Sequence, residues 1–223
     1  TASLTPELGG VRGRTTTHAH DLNQPQLIAS KAAVERRLTL IQGPPGTGKT
    51  HTAVRILESW AKMDIGTILA VADSNVAVDN LLEGLLARGV RVVRLGQPVK
   101  VREKLRMATM DAKMETHPLR RDLDTQLNLN EKLNRRINSL KGKEKGLAYR
   151  DIKKGWKEIR RIENQIRDDI LDRIQVVCCT CIGAGNEILD GRRFPQVLID
   201  EATQATEPAS LVPLTRGARQ VVL

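Results

Sequence analysis

Long apolar runs, cysteines and aromatic residues are all scarce in this sequence of 223 residues. No run approaches the ~18 consecutive apolar residues that suggest a membrane span, so we expect no membrane partner. The segment 1–13 is polar and Gly-rich, which argues against a secretory signal peptide. One Phe, one Tyr and two Trp leave few aromatic rings on which a planar ligand could stack.

The three cysteines, Cys178, Cys179 and Cys181, lie together in one apolar run. A zinc site needs about four ligands, and the close pair His18 and His20 is far away in the polar N-terminal segment. The run therefore predicts buried, reduced thiols in a strand. Reduced thiols are typical of a reducing compartment, so we expect a cytoplasmic location, with the nucleus as the alternative.

Basic residues outnumber acidic residues, which gives a formal net charge of +10 and a pI near 9.9. This excess favours a polyanionic partner, and nucleic acid ahead of a membrane surface. Residues 100–173 contain 21 Lys and Arg against 13 Asp and Glu, an excess of eight. Most of the positive charge therefore lies in one segment of the chain.

Short apolar runs of strand type recur along the sequence, and several are continuous rather than alternating. They span residues 38–41, 68–71, 90–95, 174–179, 197–199 and 221–223. Strands buried on both faces have this composition, as in a parallel sheet covered by helices. Helical patterns follow the first two runs, at residues 51–62 and 75–88. The alternation predicts a doubly wound α/β domain.

Residues 99–173 interrupt this alternation, because they contain no strand signal and are dominated by charge. Their apolar residues fall at helical spacing in two series, first Leu119, Leu123, Leu129, Leu133, Ile137 and Leu140, then Ile152, Trp156, Ile159, Ile166 and Ile170. The polar, Gly-containing segment 141–146 separates the series and predicts a turn. We interpret the segment as a projecting antiparallel helical hairpin, with helices buried mainly against each other. The alternative is a solvated, partly disordered linker.

A phosphate-binding motif follows the first strand. It consists of Gly43, Pro44, Pro45, Gly46, Thr47, Gly48, Lys49 and Thr50, which match G-x-x-x-x-G-K-[ST] in full. Its glycines let the backbone wrap a phosphate, and the N-terminus of the following helix supplies positive potential. We expect Lys49 to reach the β- and γ-phosphates and Thr50 to bind Mg²⁺ through its hydroxyl.

Two carboxylates follow the apolar run 197–199 and supply the second half of such a site. We expect Asp200 to bind Mg²⁺, directly or through water. Glu201 is then placed to take a proton from the attacking water or to orient it. Adjacent carboxylates alone are a weak signal. Together with the phosphate-binding motif they predict an NTP hydrolase in which Lys49, Asp200 and Glu201 are catalytic.

Four further segments distinguish among the ATPases that share this phosphate loop. In chain order they are Leu-Asn-Gln-Pro-Gln at 22–26, Ala-Asp-Ser-Asn-Val-Ala-Val-Asp at 72–79, Val-Cys-Cys-Thr-Cys-Ile-Gly-Ala-Gly at 177–185, and Ile-Asp-Glu-Ala-Thr-Gln-Ala-Thr-Glu-Pro at 199–208. In this order they closely resemble the up-frameshift helicases of superfamily 1B, over roughly residues 21–223. Members of that family carry a helical insertion where residues 99–173 fall.

The resemblance implies a RecA-like P-loop NTPase domain whose parallel α/β sheet carries an inserted α-helical hairpin. Its parts would be an N-terminal segment at 1–21, a first RecA-like part at 22–98, the hairpin at 99–173 and a second RecA-like part at 174–223. In that family a second RecA-like domain with an arginine finger completes the ATP site, and that domain lies outside these residues. We therefore expect the chain to bind ATP and Mg²⁺ without being a complete motor.

The resemblance also implies roles for single residues. Gln26 is similar to the glutamine that reads the adenine edge. Ser74, Asn75 and Thr180 are similar to residues that contact the nucleic-acid backbone, and turn and N-cap chemistry is the alternative for all three. Gln204 is similar to a relay between nucleotide and nucleic acid.

The implied function is the coupling of ATP hydrolysis to translocation along single-stranded RNA or DNA, with RNA favoured by the resemblance. Because aromatic residues are few, we expect binding to rest on backbone charge and to lack sequence preference. Asp73 stands where the family usually has Pro, and an acid there would repel a nearby phosphate. Two other classes stay open, an AAA-type protein remodeller and a non-catalytic nucleotide-binding scaffold whose hairpin docks a partner.

Overall fold

Six strands form one parallel sheet in the computed structural model, which describes residues 21–97 and 101–223. The segment 1–20, which includes His18 and His20, and the predicted boundary at residues 98–99 lie outside the described residues. The strands are β1 (Leu38–Thr39), β2 (Ile68–Ala72), β3 (Val92–Arg94), β4 (Val176–Thr180), β5 (Gln196–Asp200) and β6 (Gln220–Val222). The parallel α/β class predicted from the continuous apolar runs is confirmed.

The sheet has the order β1-β6-β5-β2-β4-β3, with every pair parallel. All five residues of β2 and all five of β5 are buried, as expected for central strands covered on both faces. The edge strand β1 is shorter than the predicted run 38–41. Its apolar sequence continues into Leu40, but that side chain is 69% exposed, so apolar character alone did not mark the end of the strand.

Helices cover both faces of the sheet. They are α1 (Gln24–Glu35), α2 (Lys49–Met63), α3 (Asn75–Leu86), α4 (Met110–Glu115), α5 (Arg120–Arg136), α6 (Gly142–Arg173) and α7 (Glu207–Leu214). Ile68, Ala70 and Ala72 of β2 pack in one core with α1, α2 and α3. Leu69 and Val71 of the same strand pack in the second core, with α6 and α7. The result is a RecA-like arrangement of three layers.

Helices α5 and α6 form the inserted hairpin. At its outer end Ile137, Ala148 and Ile152 make a separate small cluster. The predicted turn at residues 141–146 is wrong, because the chain reverses around a 3₁₀ turn at Ile137–Ser139 and α6 begins at Gly142. Lys and Glu between the two glycines of that segment favour a helix, and this preference outweighs the two glycines.

The expectation that the hairpin helices bury mainly against each other holds for α5, which packs mainly against α6, but not for the C-terminal half of α6. Ile159, Ile162, Ile166 and Ile170, in the C-terminal half of α6, belong to the core on the second face of the sheet. The apolar stripe keeps its 3–4 residue spacing along the whole helix, so the sequence did not show where the partner changes. Only the outer part of the hairpin, about residues 130–156, projects as a separate unit.

The cysteines are buried in or directly after strand β4, as the prediction of buried thiols in a strand required. Cys178 and Cys179 are buried in β4, Cys181 is buried directly after it, and all three are free thiols. Burial raises the pKa of Cys178 to about 12 and that of Cys181 to about 11, so both are inert thiols at neutral pH.

None of the helices in the described part of the chain is long and apolar enough to cross a membrane.

Candidate functional site

The phosphate-binding motif forms the loop between β1 and α2. Gly46 and Gly48 have φ angles of 81° and 80°, in the left-handed region that favours glycine. A Cβ on Gly48 would also lie 2.6 Å from Nε2 of Gln26. Gly48 is therefore required by the backbone conformation and by close packing.

The loop leaves a series of backbone donors without protein acceptors. Among the described residues, none accepts a hydrogen bond from the N–H groups of residues 46–51, and the first bond of α2 runs from Thr52 N–H to the carbonyl of Gly48, 2.9 Å away. The first N–H groups of a helix have no partner within the helix and carry its positive end. Consecutive free donors in a glycine loop fit a phosphate group.

Lys49 points its ammonium group into the same loop. Nζ donates to the carbonyl of Gly43 at 2.7 Å and to that of Pro44 at 3.1 Å. The hydroxyl of Thr47 donates to the same Pro44 carbonyl at 2.8 Å. The cation is thus held beside the free N–H groups by neutral acceptors, which an anionic phosphate oxygen can replace with a stronger, charge-assisted bond.

Thr50 and Asp200 meet although they are 150 positions apart in the sequence. The Thr50 hydroxyl donates to Oδ2 of Asp200 at 2.9 Å. Asp200 is the last residue of β5 and is buried, and this burial raises the pKa of its carboxyl group. Hydrogen bonds from Thr50 and from the Glu201 N–H partly oppose that rise. A hydroxyl and a carboxylate at this separation are hard oxygen ligands of the kind that Mg²⁺ prefers.

Glu201 follows β5 in a strained conformation. Its φ angle is 54°, in the left-handed region, where residues other than Gly are uncommon. Its N–H donates to Oδ1 of Asp200 at 3.1 Å, which links the turn to the carboxylate of that residue. Backbone strain of this kind costs ~1–3 kcal/mol and clusters at functional sites. Gln204, the proposed relay, is exposed in the next 3₁₀ turn and donates its N–H to the Glu201 carbonyl at 2.9 Å.

Gln26 lies against the phosphate loop. Its Nε2 donates to the carbonyl of Thr47 at 3.0 Å, and its Oε1 accepts from the N–H of Asn23 at 3.0 Å. The second contact is half of a capping box at the start of α1. The structure therefore places Gln26 at the nucleotide loop, and an adenine would have to compete for an amide that is already bonded at both ends.

The three candidate nucleic-acid residues reach the same edge of the sheet. Ser74 and Asn75 follow β2, and Thr180 ends β4. In the register of the sheet, Ala72 of β2 is paired with Thr180 on one side and with Asp200 on the other. Neighbouring strands are ~4.8 Å apart, so this row brings the candidate nucleic-acid and Mg²⁺ residues within ~10 Å.

Each of the three candidates also has a local structural role. The Ser74 hydroxyl accepts from Ala77 N–H at 3.1 Å as the N-cap of α3, and the Thr180 hydroxyl accepts from Gly183 N–H at 3.1 Å. Such contacts use the hydroxyl oxygen as an acceptor and leave its proton available as a donor. Turn and N-cap chemistry is therefore present, and it is compatible with a further contact to a phosphate oxygen.

Arg94 and Asp79 form a buried ion pair that the sequence analysis missed. Their side chains are 1% and 2% exposed, and Nε of Arg94 lies 3.3 Å from Oδ1 of Asp79. Arg94 also donates through Nη2 to Oδ1 of Asn75 at 2.7 Å. Because this contact occupies the amide oxygen, the Asn75 NH₂ group is left free to donate. The signal in the sequence was an arginine inside the apolar run 90–95.

The sequence profile of the family described as AAA domain matches residues 21–223. The Regulator of nonsense transcripts 1 homolog of Arabidopsis thaliana is 42% identical over 204 residues. The ATP-dependent helicase NAM7 of Saccharomyces cerevisiae is 40% identical over 202 residues, and the DNA polymerase alpha-associated DNA helicase A of Schizosaccharomyces pombe is 36% identical over 211 residues.

Each of these three alignments covers 91% of this chain. The chain in turn spans 15%, 19% and 31% of the lengths of these relatives, in the same order. The names confirm the resemblance to up-frameshift helicases that the motifs implied. Because the profile extends over all described residues and the fold is a parallel P-loop sheet, the chain belongs to the AAA domain family.

Proposed function

We propose that this chain is the ATP-binding domain of an ATP-dependent helicase that couples ATP hydrolysis to translocation along single-stranded nucleic acid. The bond between Thr50 and Asp200 is the observation that carries the proposal, because it brings together, beside the phosphate loop, the two residues that would hold a cation. At the same edge of the sheet, Ser74 and Asn75 lie one strand away from Asp200 and Thr180 lies two strands away. A nucleotide and a nucleic-acid strand would then contact neighbouring ends of the same sheet.

The roles within the nucleotide site follow from this geometry. The residues of the loop, from Gly43 to Lys49, would cradle the phosphates through backbone N–H groups and the Lys49 ammonium. Thr50 and Asp200 would hold Mg²⁺, which neutralises phosphate charge when bound. Glu201 would accept the proton of the attacking water or orient that water. Gln26 would favour adenine over other bases, which makes ATP the nucleotide.

We propose RNA as the first nucleic-acid substrate, on the strength of the resemblance. Two of the similar proteins carry names that refer to transcripts or helicase activity, and a third is named a DNA helicase. Contacts from Ser74 and Asn75 to the phosphate backbone of a nucleic acid would not distinguish base sequence or RNA from DNA. A reducing compartment, cytoplasm or nucleus, is the location that the three free, buried thiols support.

Single-stranded nucleic acid is expected to stimulate ATP hydrolysis by the full-length protein that carries this chain. The reason is that both ligands bind at the ends of β2, β4 and β5, so each affects the other. The measurement is phosphate release with and without a single-stranded homopolymer. Stimulation by a protein substrate instead would favour an AAA-type remodeller, and the absence of hydrolysis would favour a nucleotide-binding scaffold.

The outer hairpin is expected to guide nucleic acid by charge. Three residues there, Lys141, Lys143 and Arg150, are exposed, and within residues 21–97 and 101–223 they take part in none of the ion pairs that connect other charges of α5 and α6. Changing all three to Gln should make the slope of log K against log salt for single strands shallower by up to about 2. The variant leaves the sheet core intact, unlike removal of the whole hairpin, which would take Ile159 to Ile170 from the core.

A matched control has the same change of charge at the opposite edge of the sheet. Lys31, Arg36 and Arg37 are exposed near β1, and their replacement by Gln should leave the slope unchanged. If both variants change the slope equally, the hairpin charges act only through net charge.

A further inference from the structure

Two of the four aromatic side chains of this protein are exposed, and both lie on α6. Trp60 and Phe194 are fully buried in the two cores. Tyr149 and Trp156 are 57% and 51% exposed. Because large aromatic rings normally bury most of their surface, two half-exposed rings on one helix require a separate explanation.

Cations alternate with these two rings along one face of α6. The face consists, at spacings of three or four residues, of Lys145, Tyr149, Lys153, Trp156 and Arg160. We call this set the aromatic stripe. The carboxylates of the same segment, Asp151 and Glu158, fall on another side of the helix and line the groove toward α5.

The cations of the aromatic stripe are not neutralised by the protein. Within the described part of the chain, Lys145, Lys153 and Arg160 take part in none of the ion pairs shorter than 4.0 Å, whereas the neighbouring Arg161 is paired with Glu158 at 2.6 Å. Unpaired cations beside exposed rings are complementary to a ligand that carries both negative charge and planar surface.

The indole of Trp156 is held in place by a buried amide. Asn130 of α5 is 3% exposed, and in the orientation that satisfies both of its neighbours it donates to the Ile152 carbonyl at 3.2 Å. Its oxygen then accepts from Nε1 of Trp156, also at 3.2 Å. One edge of the ring is thus anchored, while about half of its surface faces solvent.

Gly155 shows that this anchoring depends on a close fit. A Cβ at Gly155 would lie 2.4 Å from the nearer terminal atom of the Asn130 amide and 2.8 Å from its Cγ, so any other residue would displace the amide. Glycine in the interior of a helix lowers helix stability. A tryptophan that serves only to pack the hairpin needs neither this glycine nor an exposed face.

We propose that the aromatic stripe is a base-stacking platform for single-stranded nucleic acid. Trp156 and Tyr149 stack bases, and the three cations contact the adjoining phosphates. The rings are seven residues apart, ~10.5 Å along the helix, so they contact different nucleotides. Stacking is tolerant of sequence, since every base has a π-face. The inference rests on the proposed function, because it assumes that the strand bound at the sheet edge extends to the hairpin.

The chain itself supplies the probe for this inference, since it has two tryptophans and Trp60 is fully buried. We would titrate the 223-residue chain with a single-stranded uridine homopolymer and, separately, with heparin, a polyanion without bases. The homopolymer is expected to quench Trp156 fluorescence, and heparin is expected to bind with little quenching. In a Trp156→Phe variant the remaining emission from Trp60 should not respond to either ligand.

Affinity measurements separate stacking from packing. Trp156→Leu and Tyr149→Leu should each weaken homopolymer binding by roughly 5- to 100-fold and leave heparin binding unchanged. Trp156→Phe retains a ring and should keep most of the affinity, and Lys153→Gln should weaken both ligands. Circular dichroism and thermal melting check that each variant is folded. If Trp156→Leu does not fold, Tyr149→Leu and Trp156→Phe still distinguish base stacking from packing within the hairpin.

Two results would overturn the inference while leaving the proposed function standing. In one, the homopolymer binds but Trp156 emission stays constant or changes equally with heparin. In the other, both leucine variants bind the homopolymer as the parent does, which would assign the exposed rings to a protein contact or to packing. Failure of the parent to bind any single strand would overturn the proposed function and this inference together.

Discussion

Lys49→Ala is expected to abolish measurable nucleotide binding by this chain. Lys49 is the mobile cation of the loop, and its two present acceptors, the carbonyls of Gly43 and Pro44, are neutral. Phosphate oxygens would form charge-assisted bonds in their place, each worth ~1.5–3 kcal/mol. Loss of two such bonds weakens binding by about 100-fold or more. Titration with a fluorescent ATP analogue in the presence of Mg²⁺ measures the effect.

Two controls isolate the charge of Lys49. Lys49→Met keeps most of the aliphatic stem and should lose binding as Lys49→Ala does, because the charge is absent in both. Lys31→Ala removes an exposed lysine from α1 and should leave binding unchanged. Binding that survives in Lys49→Met but not in Lys49→Ala would show that the stem supports the loop and that the charge is dispensable.

Asp200→Asn, measured in the same titration, separates the contribution of the cation site to nucleotide affinity from that of the phosphate loop. It should remove only the Mg²⁺-dependent part of nucleotide affinity. The pKa of Asp200 is raised in the folded chain by burial, so its charged form lowers folding stability above that pKa. Asn lacks this charge. The variant should therefore melt at a higher temperature than the parent at neutral pH, and the difference should shrink as pH falls and Asp200 becomes protonated.

The sequence could indicate the candidate nucleotide site because each of its two halves is a continuous segment. Residues 43–50 form one loop whose glycines and Lys49 have fixed positions, and Asp200 and Glu201 directly follow a buried strand. The order of the strands in the sheet, however, cannot be inferred from any single segment. The alignment of Thr180, Ala72 and Asp200 in one row depends on β2 lying between β4 and β5, and this became visible only in the sheet.

For the hairpin, the sequence predicted the helices but not the surfaces against which they pack. Apolar spacing predicted both helices, since a 3–4 residue repeat marks a buried stripe whatever covers it. It did not distinguish Ile152, which packs in the outer cluster of the hairpin, from Ile166, which packs against the sheet. Nor did it reveal Asn130, a polar residue whose burial makes sense only beside Trp156 and the Cβ-free backbone of Gly155.

Arg94 was missed for a related reason. In an apolar run, one charged residue is normally taken as the exposed end of a strand. Here Asp79, 15 positions earlier, and Asn75 accept hydrogen bonds from the buried guanidinium. A buried ion pair is costly to break by removing one partner, so it holds the start of α3 in one position relative to β3. Sequence spacing alone gave no reason to connect these positions.

Glu201→Gln is expected to keep nucleotide binding and to stop hydrolysis in the full-length protein. The substitution preserves shape, and the backbone contact of residue 201 with Asp200, 3.1 Å long, does not involve the side chain. What disappears is the carboxylate that accepts a proton from water. General base catalysis contributes roughly 10²–10⁴-fold in rate, and the loss should appear in phosphate release rather than in affinity.

Glu207→Gln is the matched control for Glu201→Gln, because it removes the same charge from the exposed first turn of α7, six residues away along the chain. It should leave both binding and hydrolysis within a few-fold of the parent.

Glu201→Gly adds a test of the strained backbone, since glycine adopts a φ of 54° without steric conflict. Glu201→Gly should also stop hydrolysis, but unlike Glu201→Gln it should raise the melting temperature of the nucleotide-free chain. That pair of results would show that the strain is maintained to place the carboxylate. If Glu201→Gln hydrolyses ATP within a few-fold of the parent, another group accepts the proton and the left-handed turn at Glu201 serves only to orient Asp200.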